Sequence, residues 1–202
     1  MDKEAKVETG IQQAEFTLRG KPGVLLVVHQ FAEKAKKEIR DKQAKKAKKA
    51  KEERDPKAEF LDARYLDEKG RECVPVTAIK KAIVTAVTAS DNLTKVGIRQ
   101  AVFVVPLADR ASQLVPIELH DGTPAAGVMR EDAVTIGQGT RGLSYRPAYG
   151  EWQLRVGVEF NPRIVSRAQL RQLLEDAGFG VGICEGRPEK TSALGWGRFD
   201  VV

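Results

Sequence analysis

Apolar and polar residues alternate over 12–19, with Ala14, Phe16 and Leu18 on one face, the period-two pattern of a strand buried on one side. The alternation returns over Glu151 to Phe160, where Trp152, Leu154, Val156, Val158 and Phe160 share a face and Asn161-Pro162 ends the run. Ala101 to Leu107 is a continuous apolar run with Pro106 at its far end, the mark of a buried strand. Twice the period lengthens to three and four. Val76, Ile79, Ala82, Ile83, Ala86 and Val87 predict a core-facing helix started by Pro75 or Thr77. Leu170, Leu173 and Leu174 predict a second over 166–177, with Ser166 as its N-cap. The segment 197–202 supplies a last short strand.

In chain order this reads strand, helix, strand, strand, helix, strand. It predicts an α+β, ferredoxin-like (RNA-recognition-motif-like) βαββαβ core: a four-stranded antiparallel sheet with two helices on one face. The other face is open to single-stranded nucleic acid. Two insertions interrupt the order within a single domain spanning 1–202. Residues 108–150 contain short apolar stretches at 114–119, 127–130, 133–136 and 142–145, each bounded by Gly, Pro or Asp, and predict inserted β-hairpins. Residues 31–55 follow an apolar run at Val24–Val28 that ends in His29 and Gln30. They are Ala, Lys, Glu, Arg and Gln almost throughout, with no apolar stripe beyond Ile39, and predict a helix that projects from the body.

Charge sharpens that second insertion. The chain of 202 residues carries a formal net charge of +6. Residues 33–54 hold 11 Lys/Arg against 5 Asp/Glu, so the remaining 23 cations and 23 anions cancel and this one segment carries the whole excess. Lys34, Lys37, Lys45, Lys48 and Lys49 lie on overlapping helical faces, suited to neutralising several phosphates together. A solvated charged helix, or an arm contacting a neighbouring subunit, is the other reading of the same residues.

Other chemistry is sparse. Cys73 and Cys184 are far apart and outside any Cys-x-x-Cys pattern, which predicts reduced thiols and neither disulfide nor zinc. His120 and Asp121 with Glu131 or Asp132 make a mixed loop set of ordinary surface type, so no metal or cofactor is expected. No run approaches the about 18 apolar residues of a membrane span, and the charged N-terminus lacks an apolar signal segment, which predicts a cytoplasmic protein with no membrane partner.

The end of the chain is unusual. An amphipathic helix runs into glycines at 178, 180, 182, 186, 195 and 197, accompanied by Arg187, Lys190 and Arg198. Glycine removes side chains and exposes backbone N–H groups, so Gly180 and Gly182 with these cations form a candidate polyanion cradle. Gly178 as a helix C-cap followed by plain turns is the alternative. Most aromatic residues fall on buried strand faces. Trp196 and Tyr145, among turns and basic residues, are the candidates for base stacking. Arg141, Arg146, Arg155 and Arg163 extend a possible positive surface over the sheet.

This element order, combined with the terminal Gly-Phe-Gly-Val-Gly, Gly-Arg-Pro and Gly-Trp-Gly-Arg-Phe sequences, resembles the RAMP superfamily of CRISPR systems. Its members bind or process guide RNA, with a glycine-rich loop between the last helix and last strand approaching the RNA backbone. The ending Arg-Pro…Gly-Arg-Phe-Asp-Val also resembles small proteins of phages and prophages. The resemblance implies a non-enzymatic module that binds single-stranded RNA or DNA within a homo-oligomer or multi-subunit complex. It also supplies an alternative. Ribonucleases of that superfamily often place a histidine in the first strand-to-helix connection, where His29 stands, and such a base would activate a 2′-hydroxyl without metal. The third expectation is a phage assembly protein whose basic arm docks an acidic partner.

Overall fold

In chain order the elements are β1 (Gln12–Gly20), β2 (Leu26–Val27), α1 (Pro56–Asp62), β3 (Tyr65–Leu66), β4 (Glu72–Pro75), α2 (Val76–Ala86), α3 (Lys95–Ala101), β5 (Val102–Pro106), β6 (Leu114–Pro116), β7 (Val128–Ile136), β8 (Thr140–Tyr149), β9 (Gln153–Phe160), α4 (Arg167–Asp176) and β10 (Phe199–Val201). They come from a computed structural model that describes residues 10–30, 39–40, 43, 54–90, 92–136, 140–191 and 194–202. The basic segment at 31–55, with Lys34, Lys37, Lys45, Lys48 and Lys49, lies outside the described residues except for Ile39, Arg40, Gln43, Arg54 and Asp55.

The central sheet has the order β10-β1-β9-β5, antiparallel throughout. With α2 and α4 as the two crossing helices, this is the ferredoxin-like arrangement expected from the sequence. The strands alternate as their residues require. Ala14, Phe16 and Leu18 of β1, Leu154, Val156, Val158 and Phe160 of β9, and Phe199 and Val201 of β10 are buried. They join Ile79, Ala82 and Ile83 of α2 and Leu170, Leu173 and Leu174 of α4 in one core. Each large side chain so enclosed contributes about 1.5–3 kcal/mol through removal from water. Ser166 starts α4 with a complete capping box to Gln169. Asn161 closes β9 with an Asx turn, its Oδ1 accepting from the Arg163 N–H at 3.1 Å.

Two smaller sheets, β2-β8-β7 and β3-β4-β6, flank the core. The second joins the central sheet where Glu118 bridges Gln153, past the end of β5. Several elements escape the periodicity of the sequence. The helix α1 has only seven residues, too few for a repeating stripe, and is set by Pro56 in its first turn and by Asp55, whose side chain accepts from the Lys57 and Ala58 N–H groups. In α3, Gly97 masks a helix capped by Thr94. The stretches at 127–130 and 133–136 form one continuous strand, because Glu131 and Asp132 pair across to Tyr145 and Ser144 without interruption. The run at Val24–Val28 gives a two-residue strand that pairs with β8 and stays outside the central sheet. No described helix is long and apolar enough to cross a membrane.

Candidate nucleic-acid interface

After α4 the chain widens into a π turn over Ala177–Val181, closed by the Gly182 N–H donating to the Ala177 carbonyl at 2.8 Å. Gly178 is therefore no left-handed C-cap; its role is contact. A Cβ there would lie 2.1 Å from the Phe199 carbonyl oxygen, and one on Gly197 would lie 2.0 Å from that of Ile183. The loop then folds onto its neighbours through its own amides. Ile183 N–H donates to Gly197, Glu185 to Val27, Glu189 to Val181, Trp196 to Gly186 and Gly197 to Leu25, at 2.8–3.3 Å. These amides, and that of Gly182, are consumed by the fold. The expected cradle of open N–H groups is absent at these positions, because the loop needs them to hold itself against β2 and β10.

The loop cations divide. Arg187 is a strut: its side chain is 17 % exposed, donates to the Cys184 carbonyl at 2.7 Å and binds the Glu189 carboxylate at 2.9 Å. It holds Cys184 at φ +61, a conformation L residues rarely adopt. Burial alone would raise the Glu189 carboxyl. The Arg187 hydrogen bond and charge, with Lys190 and Lys81 nearby, hold it below its ordinary range instead. Lys190 is exposed, its Nζ 3.6 Å from Glu189. Arg198 donates from Nε to the Gly195 carbonyl at 3.1 Å.

The aromatic candidates also separate. Trp196 is 9 % exposed and packs on Val27 and Ala148. The Arg130 guanidinium stands 4.7 Å from its ring centroid, and a Cβ on Gly186 would meet its edge at 2.3 Å. A ring so enclosed has no free face for a base. Tyr145 is half-buried, with Arg54 over its ring at 5.8 Å. A hydrogen bond to Glu131, more than partial desolvation, pushes its phenol up. Phe179, in contrast, is 70 % exposed. Sequence reasoning passed over it because it sits on no strand; its signal was a large apolar residue between two glycines.

Beside the loop is a cleft of about 240 Å³. It gathers His29, Gly182 and Arg187 with Thr77 and Lys81 of α2, and Tyr65, Cys184 and the carboxylates Glu185 and Glu189 also line it. Pro75 makes no side-chain cap at the start of α2, so the positive end of that helix opens on the same space. Burial pushes the Cys184 thiol up to about 12, with Glu185 adding to the effect, which keeps it protonated near neutral pH. Burial, followed by Cys184 and Glu185, raises Tyr65 as well.

The open face of the central sheet is organised differently. Arg155 binds both carboxylate oxygens of Glu118 through Nε and Nη2 at 2.9 Å, and Arg110 bridges Glu159 at 2.7 Å and Gln13 at 2.9 Å. Lys21 pairs with Asp200. Arg146 is buried between Asp132 at 2.9 Å and Glu185 at 3.4 Å. The expected positive stripe of Arg141, Arg146, Arg155 and Arg163 therefore loses its two middle members to carboxylates. The outward positions of β1 and β9, Gln13, Glu15, Thr17 and Arg19 opposite Glu159, Gly157, Arg155 and Gln153, present no ring. Asp132 is committed to Arg130 and Arg146, and the described residues hold no group of three His, Cys, Asp or Glu able to bind a metal ion. Both cysteines are free thiols.

No family model and no curated protein sequence matches the chain. Among solved structures, the chain is similar to the crystal structure of Cmr6 from Pyrococcus furiosus, at 10 % identity and a TM-score of 0.45, covering 96 % of this chain and 100 % of that one.

Proposed function

We propose that the protein is a non-enzymatic module that binds single-stranded nucleic acid, RNA in the first instance, as a subunit of a larger assembly. One observation carries this reading: the segment holding the chain's whole excess charge is rooted at the cleft. It leaves directly after His29, a cleft residue, and the Gln30 N–H donates to the Ala63 carbonyl at 2.9 Å where the chain returns. On the return side Arg54 binds the Leu143 carbonyl of β8 at 2.7 Å, and Tyr65 lines the cleft again. Lysines tethered there raise the local concentration of a polyanion over Lys81 and the positive end of α2. The place of the glycine-rich loop, between the last helix and last strand, agrees with the RAMP resemblance.

The test is binding of a labelled single-stranded RNA and its DNA counterpart over a salt series. The logarithm of affinity should fall linearly with the logarithm of salt, at about 0.7 per phosphate contacted, and light scattering should show salt-sensitive particles. A clean, nucleic-acid-free particle with no salt-sensitive binding would leave a protein-docking role for the basic segment.

His29 shares the cleft with Tyr65 and Lys81, which favours a second reading, a metal-independent ribonuclease in which His29 takes the 2′-hydroxyl proton. Incubation with several RNAs in chelator decides between them. Intact RNA eliminates the nuclease; cleavage lost in His29→Ala, with binding retained, replaces the first reading.

A further inference from the structure

The glycines of the terminal loop have visible reasons, with one exception. Gly178, Gly186 and Gly197 are pressed against backbone or ring, and Gly182 and Gly195 hold φ of +70 and +62. Gly180 has neither reason: among the described residues nothing lies within 4 Å of where its Cβ would be, and its φ is ordinary. Packing and torsion both allow any residue there. Its neighbour Phe179 is 70 % exposed, a large apolar side chain left in water on a short turn. The turn itself is fixed, by the Gly182 to Ala177 hydrogen bond behind it and by the contact of Gly178 with Phe199 beneath. An exposed ring on a fixed backbone next to a glycine that leaves the main chain open is the arrangement for a flat ligand laid on the ring, with its edge over bare backbone.

The geometry points to Phe179 as a stacking platform for one base of a bound strand, with Gly180 giving the clearance for that base and its sugar; this rests on the nucleic-acid reading above. Val181 and Gly182, two and three residues on, line the cleft. Two residues span at most about 7 Å, so a strand with its phosphates at the cleft can place the neighbouring base on Phe179. The acids just before the turn are occupied: Glu175 is bound by Arg171 at 3.0 Å, and Asp176 accepts from Gln172 at 2.9 Å. A base is favoured over an aliphatic partner because a ring and a glycine offer a flat face with no pocket walls. Stacking of this kind tolerates any base and adds to phosphate contacts without changing their number.

The experiment uses the full-length protein and fluorescein-labelled oligoadenylate and oligouridylate of equal length. Phe179→Ala should weaken binding about five- to a hundredfold, the range of one lost base–aromatic stack, while the salt slope and the thermal midpoint stay at wild-type values. Phe179→Tyr should bind like wild type and Phe179→Leu like Phe179→Ala. Gly180→Val should fold normally and bind less tightly. Wild-type binding matched by Phe179→Ala overturns the stacking role and leaves the nucleic-acid reading intact. Full activity of Phe179→Leu, or a change only in oligomeric state, overturns it in favour of an apolar protein contact. A wild-type protein that binds neither oligonucleotide overturns both.

Discussion

The cleft and the open face of the central sheet are both polar surfaces of one domain, and their charges are arranged on different plans. On the sheet, Arg155 faces Glu118, Arg110 faces Glu159 and Lys21 faces Asp200, so these three cations are answered by anions, while Arg19 reaches the Gln153 side chain at 3.4 Å. At the cleft one such pair, Arg187 with Glu189, serves the loop. Glu185, also on the cleft lining, is held by Arg146, and Lys81 and the start of α2 add positive charge around it. The comparison teaches that topology makes a sheet face accessible without making it a binding platform. What fills the outward positions decides, and here those of β1 and β9 hold mixed charge and no ring, while Phe103 stands exposed on the edge strand β5 opposite Glu159.

The largest effect should come from removing the charge itself. Deleting 34–51 should weaken oligonucleotide binding about a thousandfold near physiological salt and flatten its salt dependence. Arg155→Ala and Arg110→Ala should leave affinity within about twofold, since their charges are already neutralised locally. Sheet variants that weaken binding as much as the deletion would invert the comparison. Next in size is an effect on folding within the loop. Gly197→Ala meets backbone at 2.0 Å from a φ of +67 and should lower stability by on the order of 3 kcal/mol. Gly180→Ala should change it by less than about 0.5 kcal/mol. Chemical denaturation of the two variants measures the contrast.

That contrast also marks how far the sequence could be read. The four core strands and two crossing helices were legible because their burial repeats at periods of two and three to four over enough residues to be unambiguous. Phe16, Val158 and Leu173 sit where those periods put them. The terminal glycines were legible as a group and illegible one by one. A glycine that avoids the Phe199 carbonyl and a glycine with open space around it are the same letter; only the returning strand tells them apart. The same limit hid the burial of Trp196, since its neighbours Val27, Ala148 and Arg130 come from three distant segments. Likewise Arg146 and Arg155 read as surface cations until the facing carboxylates were in place.

Smaller effects should separate support from contact inside the cleft. Arg187→Ala removes two charge-assisted hydrogen bonds and releases Cys184 from its strained conformation, at a cost of about 1–3 kcal/mol of stability. Lys81→Ala should leave the thermal midpoint nearly unchanged and weaken oligonucleotide binding severalfold, with the salt slope reduced by about 0.7. Equal effects of the two variants on both readouts would erase the distinction between strut and ligand-facing cation.

The smallest expected effect tests whether the Arg187–Glu189 pair behaves as a fixed part of the loop. Arg187, Lys190 and Lys81 together hold the Glu189 carboxyl below its ordinary value of 4.5 despite the opposing effect of burial. The folded protein therefore keeps this group ionised at acidities where the unfolded chain has already taken up a proton. The pair's contribution is complete above pH 4.5 and is lost as pH falls through the folded value. Thermal midpoints of wild type and Glu189→Gln should thus differ most near neutral pH and converge as acid is added. A difference that is constant through this window would mean that Glu189 supports the loop by shape alone, with neither its hydrogen bond to Arg187 nor its charge contributing to stability.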